Sequence, residues 1–282
     1  MPADPEDRQF DPERCAYWQT KRIPHSPLRR NTAFLRWIQG DDQDNYRKRG
    51  NQAVALESVG YEFNRFGYRS GAFRREPGAA ATLFLGDDFT FGVGVPFANA
   101  WSTIVADRLA AAWGIPVQQF NLAFPGAGPD HAAMLLHQSV DLLEPDAVFI
   151  LWPRFASTMW FPNASGVQLF APDVKPGEYA REYRAYLELT TPAQAFFNYV
   201  RDFHFVDDRL ARLSIPYFWS NVEPFPLDVL EHYVPLDRFV GAFETVDKGR
   251  DNVHPGIASH ARFGELAVAA AVRSGVGVRP RV

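Results

Sequence analysis

Apolar runs and helix-spaced apolar positions alternate along the chain from residue 80 onward. The segments ATLFLG and DAVFILW are continuous apolar runs, a pattern typical of strands that are buried on both faces. Between them, apolar residues recur at helical spacing and predict an amphipathic helix, whose core-facing positions are Trp101, Ile104, Val105, Leu109 and Ala112. This alternation predicts a parallel sheet that is covered by helices.

The same alternation continues to the end of the chain. Two further strands are predicted at VQQFNLA and IPYFWSN, and three further helices at GPDHAAMLLHQSVDLLE, RDFHFVDDRLARLS and ASHARFGELAVAAAVR. Helices that connect successive strands are typical of parallel sheets with right-handed crossovers. We therefore predict an α/β fold, a three-layer α/β/α sandwich around a central, mostly parallel sheet.

Two segments fall outside this alternation. Residues 1–60 are polar and poorly periodic, and we expect them to form an N-terminal extension that packs on a main domain of residues 61–282. Within the extension, FLRWIQ at residues 34–39 is predicted as a short helix. Residues 154–190 are aromatic and punctuated by proline and glycine, and loops of this length are usually functional covers. We predict that this aromatic insertion shapes a pocket.

Composition narrows the class of protein. The chain has 282 residues, of which 46% are hydrophobic, which is enough for one large core. Its net charge of −4 gives no reason to expect nucleic acid or an anionic membrane as a partner. No apolar stretch approaches the roughly 20 residues of a membrane span, and the single cysteine suits a reducing compartment. We expect a cytoplasmic protein that acts on a small molecule.

Polar groups collect where the predicted strands end. Residues 86–88 follow the first strand, residues 121–126 the second and residues 152–154 the third. Open α/β sheets bind their ligands at the carboxyl ends of the strands, so these groups are expected to line one cleft. Asp251 and His254 precede the last helix at a spacing that lets a carboxylate hold the tautomer of an imidazole.

Three motifs in this order resemble the sequence blocks of the SGNH hydrolases, also called GDSL esterases and lipases. The first block reads roughly Gly-Asp-Ser-Phe-Thr-x-Gly, and the chain has GDDFTFG at residues 86–92. The second block, Asn-Leu-x-x-Pro-Gly, is matched by NLAFPG at residues 121–126. The last block, Asp-x-x-His-Pro, is matched by DNVHP at residues 251–255. The resemblance covers about residues 60–275.

The resemblance implies a site as well as a three-layer fold. Members of this family hydrolyse esters with a serine nucleophile, a histidine base and an orienting aspartate. Carried over to this chain, His254 is the base, Asp251 is the orienting carboxylate and the Gly126 N–H is an oxyanion-hole donor. The family's carboxylate at Asp87 caps the N–H groups of the turn.

Two departures from the family pattern change what the site is expected to do. Asp88 stands where the family has its nucleophilic serine. The family's block-three asparagine has no clear counterpart, because the third strand runs into LWPRFAST. Arg154 and Ser157 are the candidates for that space, and Arg154 is also placed to hold a substrate carboxylate.

An aspartate at position 88 needs no base to ionise it. We expect Asp88 and His254 to form an ion pair, which makes His254 a candidate acid. Attack by a carboxylate on an ester carbonyl gives a high-energy anhydride, so ordinary ester hydrolysis is disfavoured. A carboxylate is a workable nucleophile at a saturated carbon of an epoxide or alkyl halide. An Asp–His pair can also act as base and acid in an elimination, isomerisation or cyclisation, or activate a water.

The sequence therefore predicts an SGNH-hydrolase-like enzyme acting on a small organic molecule, with Asp88 as nucleophile or general base beside His254 and Asp251. Two alternatives stay open at this stage. One is a catalytically degenerate binding protein on the same fold, and the other is a metal-dependent variant that uses Asp88 and His254. No spacing in the chain is diagnostic of a metal, so neither a metal nor a cofactor is expected.

Overall fold

The computed structural model describes residues 23–26, 33–161, 168–170 and 179–276. In these ranges the strands are β1 (Phe34–Leu35), β2 (Tyr61–Glu62), β3 (Ala80–Leu85), β4 (Val117–Asn121), β5 (Ala147–Trp152), β6 (Thr158–Trp160), β7 (Gln168–Phe170) and β8 (Tyr217–Asn221). The helices are α1 (Gln43–Arg49), α2 (Asp88–Phe91), α3 (Trp101–Trp113), α4 (Pro129–Leu143), α5 (Ala180–Leu189), α6 (Pro192–Arg212), α7 (Leu227–Leu230) and α8 (Ile257–Arg273).

The centre of the fold is a four-stranded parallel sheet in the order β4-β3-β5-β8. In the middle strand β3, Leu83 pairs with Phe120 on one side and with Val148 on the other. All residues of β3 and β5 are buried, as expected for strands covered on both faces. The parallel register brings the turns that follow β3, β4, β5 and β8 to one edge of the sheet.

Helices cover both faces of this sheet. On one face, α3 and α8 pack on the side of the sheet that carries Phe84 and Phe149. On the other face, α4 and α6 pack on the side that carries Leu83 and Ile150. The predicted three-layer α/β/α sandwich is thus confirmed. The predicted core face of α3 was wrong at its last position, since Ala112 is exposed.

The N-terminal extension differs from the prediction at residues 34–39. Phe34 and Leu35 form β1, which pairs antiparallel with Glu62 and Tyr61 of β2, so the predicted short helix is wrong. Strand β1 forms through a tertiary contact, because its partner β2 follows α1 in the sequence. The pairing crosses the predicted boundary between residues 60 and 61.

The aromatic insertion contains regular structure. Within the predicted loop of residues 154–190, β6 and β7 form an antiparallel pair and α5 follows. Residues 162–167 and 171–178 of the insertion lie outside the described residues. Helix α6 begins earlier than the predicted residue 201, at Pro192, after Thr191 caps its first turn by accepting the backbone N–H of Gln194.

Candidate active site

Strand β3 ends in a tight turn that requires glycine. Gly86 has a φ of 152°, and a Cβ there would lie 2.2 Å from Oγ1 of Thr90 and 2.7 Å from the backbone oxygen of Leu151. The chain can therefore pass directly from the sheet into α2. Asp87 caps this short helix by accepting the backbone N–H of Phe89 at 3.1 Å. Asp88 follows as its first residue, with its side chain 27% exposed.

The carboxylate of Asp88 has a different partner on each oxygen. Its Oδ2 accepts the backbone N–H of Gly126 at 3.1 Å. Its Oδ1 lies 3.6 Å from Nε2 of His254. Gly126 belongs to the turn between β4 and α4, so three separate segments meet at this one carboxylate. The donor that the family resemblance assigns to the oxyanion hole thus contacts Asp88 itself.

His254 is hydrogen-bonded to Asp251 through the ring nitrogen that does not face Asp88. Nδ1 of the imidazole is hydrogen-bonded to Oδ2 of Asp251, which is fully buried. The other carboxylate oxygen, Oδ1, accepts the backbone N–H groups of Val253 and His254 at 3.1 Å each. Because the carboxylate is the acceptor in this hydrogen bond, Nδ1 carries a proton. Nε2 is the atom that faces Asp88. The imidazole is 18% exposed and remains open to a substrate.

The charges around His254 favour its protonated form. Burial alone would lower the pKa of His254, but the hydrogen bond that His254 donates to Asp251 and the charges of Asp88 and Asp251 outweigh it and raise the pKa above its ordinary value. Burial raises the pKa of Asp251. The hydrogen bonds with His254 outweigh this effect, so the pKa of that carboxyl lies below its ordinary value. The site therefore favours an imidazolium, a proton donor, beside the carboxylate of Asp88.

Asp87 is the second carboxyl of the turn, and it titrates differently. Burial, and then the negative charge of Asp88, raise the pKa of Asp87 to about 7. The hydrogen bond from Phe89 and the charges of His254 and Arg154 act against this rise. Near neutral pH, Asp87 is therefore partly protonated, which limits the negative charge packed into the turn.

We expect Asp87→Asn to be tolerated better at pH 8 than at pH 5. With a pKa of about 7 in the folded protein and 3.8 as its ordinary value, Asp87 carries a proton only in the folded state at intermediate pH. Stability from this proton is complete below about pH 4 and is lost as pH rises through 7, at up to about 1.4 kcal/mol per pH unit. Asparagine retains an acceptor for Phe89 but does not titrate.

Urea denaturation of the wild type and the variant between pH 5 and 8 measures this difference. The free energy of unfolding of Asp87→Asn relative to wild type should rise with pH. Asp107→Asn, an isosteric change at an exposed position of α3, is the matched control and should give a flat difference. A flat difference for Asp87→Asn would show that Asp87 is ionised throughout this range.

The two other predicted site residues occupy the turn after β5. Arg154 lies near enough for its charge to lower the pKa of Asp87. Ser157 is buried, and its backbone N–H donates to the carbonyl of Arg154 at 2.9 Å. Its own carbonyl packs so closely on Gly128 that a Cβ there would lie 2.3 Å away. Arg154 thus acts on Asp87, while these contacts of Ser157 are with its turn and the start of α4.

Sequence reasoning missed the residues that surround the Asp251–His254 turn. A Cβ built on Gly40 would lie 3.8 Å from Cε1 of His254, so the N-terminal extension lies against the imidazole. Gly94 lies against the carboxylate of Asp251. Arg250, next to Asp251 in sequence, is fully buried. Only its place directly before Asp251 in the sequence could have drawn attention to Arg250, because the residues that it contacts are remote in sequence.

Among the residues that the structure describes, no group of three or more histidine, cysteine, aspartate or glutamate side chains is arranged to hold a metal ion. None of the helices in the described part of the chain has the length and apolar character needed to cross a bilayer.

Comparison with known proteins gives distant structural similarities. No protein-family model matches the chain, and no curated protein sequence matches it. TesA is 14% identical, covering 68% of this chain and 97% of its own, with a TM-score of 0.44. A lipase from a goat rumen metagenome is 14% identical, covering 70% and 98% (TM-score 0.44). A family 3 carbohydrate esterase of Clostridium thermocellum is 13% identical, covering 71% and 100% (TM-score 0.44). Identities this low leave the site residues as the basis for assigning a function.

Proposed function

We propose that this chain is an SGNH-hydrolase-like enzyme that opens an epoxide or a similarly activated carbon–oxygen bond of a small organic molecule. Asp88 is the nucleophile, His254 is its proton partner and Asp251 orients the imidazole. One observation carries the proposal: the two oxygens of Asp88 are divided between the Gly126 N–H and the His254 imidazole. That division suits both halves of a covalent mechanism.

In the first half, Oδ1 of Asp88 attacks a saturated carbon of the substrate. A carbon–oxygen bond forms to Asp88, and the ring carbon–oxygen bond breaks. The leaving oxygen takes the proton from Nε2 of His254, which becomes neutral. The raised pKa of His254 supports this order of events, because the histidine begins the cycle protonated. The product of this half is an ester of Asp88.

In the second half, a water hydrolyses that ester. The neutral His254 takes a proton from the water, whose oxygen attacks Cγ of Asp88. Negative charge then develops on Oδ2, which already accepts the Gly126 N–H at 3.1 Å. The bond between Cγ and Oδ1 breaks, and Oδ1 departs as the oxygen of the alcohol with the remaining proton. The water oxygen takes its place, so Asp88 is again a carboxylate and His254 an imidazolium. The net reaction adds one water to the epoxide and gives a diol.

The same contacts argue against the ester hydrolysis that is usual in the SGNH family. A serine route needs the Gly126 N–H for the oxyanion of the substrate, but here the N–H is bonded to Asp88. It also needs a neutral histidine at the start, whereas the pKa of His254 is raised. In the covalent route the oxyanion forms on Asp88 itself, and the donor is already in place.

Labelled water provides the test. The enzyme is incubated in H2(18O) with a panel of small aryl- and alkyl-substituted epoxides, and the peptide containing Asp88 is analysed by tandem mass spectrometry. Repeated turnover by the covalent route places 18O in the carboxylate of Asp88, because the water attacks Cγ. Asp87 lies in the same peptide and serves as an internal control that should stay unlabelled.

The other outcomes overturn parts of the proposal. If 18O enters only the diol, Asp88 is a general base that activates water, and the nucleophilic role is wrong. If no epoxide of the panel is hydrolysed and none labels the protein, the proposed reaction is wrong.

A second candidate function is supported by the same hydrogen bond between Gly126 and Asp88. Because the protein satisfies its own oxyanion donor, the fold can also serve as a non-catalytic binding protein whose pocket carries the His254–Asp88 ion pair. In that case epoxides of the panel bind reversibly without turnover, and Asp88→Asn changes their affinity but no rate.

A further inference from the structure

We propose that Asp41 and Arg250 are positioning residues, a buried ion pair that fixes the Asp251–His254 turn and makes the N-terminal extension a wall of the active site. This inference rests on the proposed function in taking His254 as the proton partner of Asp88. The extension would then be a working part of the site, although its sequence shows no catalytic motif.

Arg250 is joined to the extension by every polar contact that its guanidinium makes among the described residues. Its Nε and Nη2 donate to the carboxylate of Asp41, the latter at 2.6 Å. The remaining hydrogen bonds, each of 2.8 Å, go to backbone carbonyls of Arg36, Leu56 and Val59. Its guanidinium also lies over the ring of Trp37, at 4.1 Å. Arg250 and Asp41 are both fully buried, so neither has water as an alternative partner.

A second set of hydrogen bonds links Asp41 to the Asp251–His254 turn, through Tyr61 and Gly94. The hydroxyl of Tyr61 is hydrogen-bonded to Asp41 and accepts the backbone N–H of Gly94 at 3.0 Å. The carbonyl of Gly94 in turn accepts the backbone N–H of Arg250 at 2.8 Å. Gly94 has a φ of 78°, and a Cβ there would lie 3.0 Å from Oδ1 of Asp251. Asp251 is therefore packed against a backbone segment that Asp41 holds through Tyr61.

The extension also lies close to the imidazole. Gly40 precedes Asp41, and a Cβ built on it would lie 3.8 Å from Cε1 of His254. The ring of Phe89 approaches the same imidazole edge-on, with centroids 6.3 Å apart. His254 is thus confined by the extension and by α2, while Asp251 holds Nδ1. A shift of the segment containing Gly40 and Asp41 would change both the packing of the ring and the position of its carboxylate partner.

A buried ion pair is a costly means of holding a loop, which is why this one indicates positioning. Desolvation of two charges offsets much of their attraction, and apolar residues of similar size often stabilise a fold as well or better. What a bidentate arginine pair adds is a defined geometry, because the planar guanidinium donates hydrogen bonds in few directions. Here the arginine with this defined geometry is Arg250, the residue directly before Asp251.

The test reads the titration of His254 by NMR, with histidine labelled at Cε1 and the resonance assigned by His254→Gln. In Asp41→Asn and in the milder Tyr61→Phe, the hydrogen bond between Asp251 and His254 should loosen. The midpoint of the His254 titration is then expected to fall towards that of an ordinary histidine, and the downfield proton signal expected of a strong Asp251–His254 hydrogen bond should weaken. Tyr61→Phe removes one hydroxyl and keeps the ring, so it covers the case in which Asp41→Asn does not fold.

Asp146→Asn is the matched control at the opposite end of the sheet. Asp146 is hydrogen-bonded to Arg75 and accepts the backbone N–H of Ala81 at 2.8 Å, before β3 enters the core. This variant should lower stability without moving the His254 titration. If Asp41→Asn and Tyr61→Phe move that titration no more than Asp146→Asn does, the pair is merely structural and the inference is wrong.

The NMR measurement uses no substrate, so it is independent of the labelling experiment. The expected fall of the His254 titration midpoint in the Asp41 and Tyr61 variants, together with an unlabelled Asp88, would keep the positioning role and reject the nucleophilic role of Asp88. A labelled Asp88 together with an unmoved His254 titration would keep the nucleophilic role of Asp88 and reject the positioning role.

Discussion

Replacing Asp88 by asparagine should lower kcat/KM for the epoxide that the enzyme hydrolyses by about a thousandfold or more. The amide has nearly the same shape and can still accept the Gly126 N–H through its oxygen. It lacks the negative charge needed to attack carbon, and it no longer forms an ion pair with His254. The loss should therefore appear mainly in kcat, and steady-state kinetics at pH 7 measures it.

Two further variants give this prediction its controls. Asp107→Asn makes the same chemical change at an exposed position and should retain wild-type kinetics. His254→Gln removes both the proton donor of the first half and the group that activates water in the second half, so it should lower kcat/KM by a similar factor. If Asp88→Asn keeps more than about a tenth of the wild-type kcat/KM, Asp88 is not the nucleophile.

The fold could be predicted from the sequence because its strands are buried on both faces. Strands β3 and β5 are continuous apolar runs, and only a covered parallel sheet makes such runs favourable. The helices that cover them show apolar residues at helical spacing. At residues 34–39 the same reasoning failed, since β1 exists only through its pairing with β2. The start of α6 was missed although Thr191-Pro192 is a helix-start signal.

The proximity of the candidate site residues was predictable from the sequence, but their contacts were not. The order of the three motifs placed Asp88, Gly126 and His254 at one edge of the sheet, where the structure indeed brings them together. That Gly126 donates to Asp88 itself depends on the path of two turns in space, which no local pattern records. The roles of these residues in catalysis remain predictions.

The Asp41–Arg250 pair shows why the remainder could not be predicted. The two residues are 209 positions apart in sequence. Asp41 sits in a polar segment whose composition is typical of a solvated surface, yet its side chain is fully buried. Only the packing of the extension on the turn before α8 removes both charges from water. A buried charge pair of this kind becomes visible once the two segments are seen in contact.

Arg250→Met should lower the free energy of unfolding by about 3–5 kcal/mol, the largest stability change we expect from a single substitution outside the apolar core. The variant leaves the carboxylate of Asp41 buried without its counter-ion, and it deprives three backbone carbonyls of their donor. Methionine is similar in length to the aliphatic part of arginine, so lost packing contributes little. Urea denaturation followed by tryptophan fluorescence measures the change.

Arg262→Met is the matched control, because Arg262 forms an ion pair of similar length with Glu244, at 2.9 Å, with both side chains 56% exposed. Its removal should cost no more than about 0.5 kcal/mol, since water replaces the lost partner. The double variant Asp41→Leu/Arg250→Met should recover part of the loss, because it removes both charges of the pair together. Equal costs for Arg250→Met and Arg262→Met would mean that the Asp41–Arg250 pair is hydrated in solution. A large cost with recovery in the double variant would show that the cost of Arg250→Met comes from the charge of Asp41 left buried without a partner.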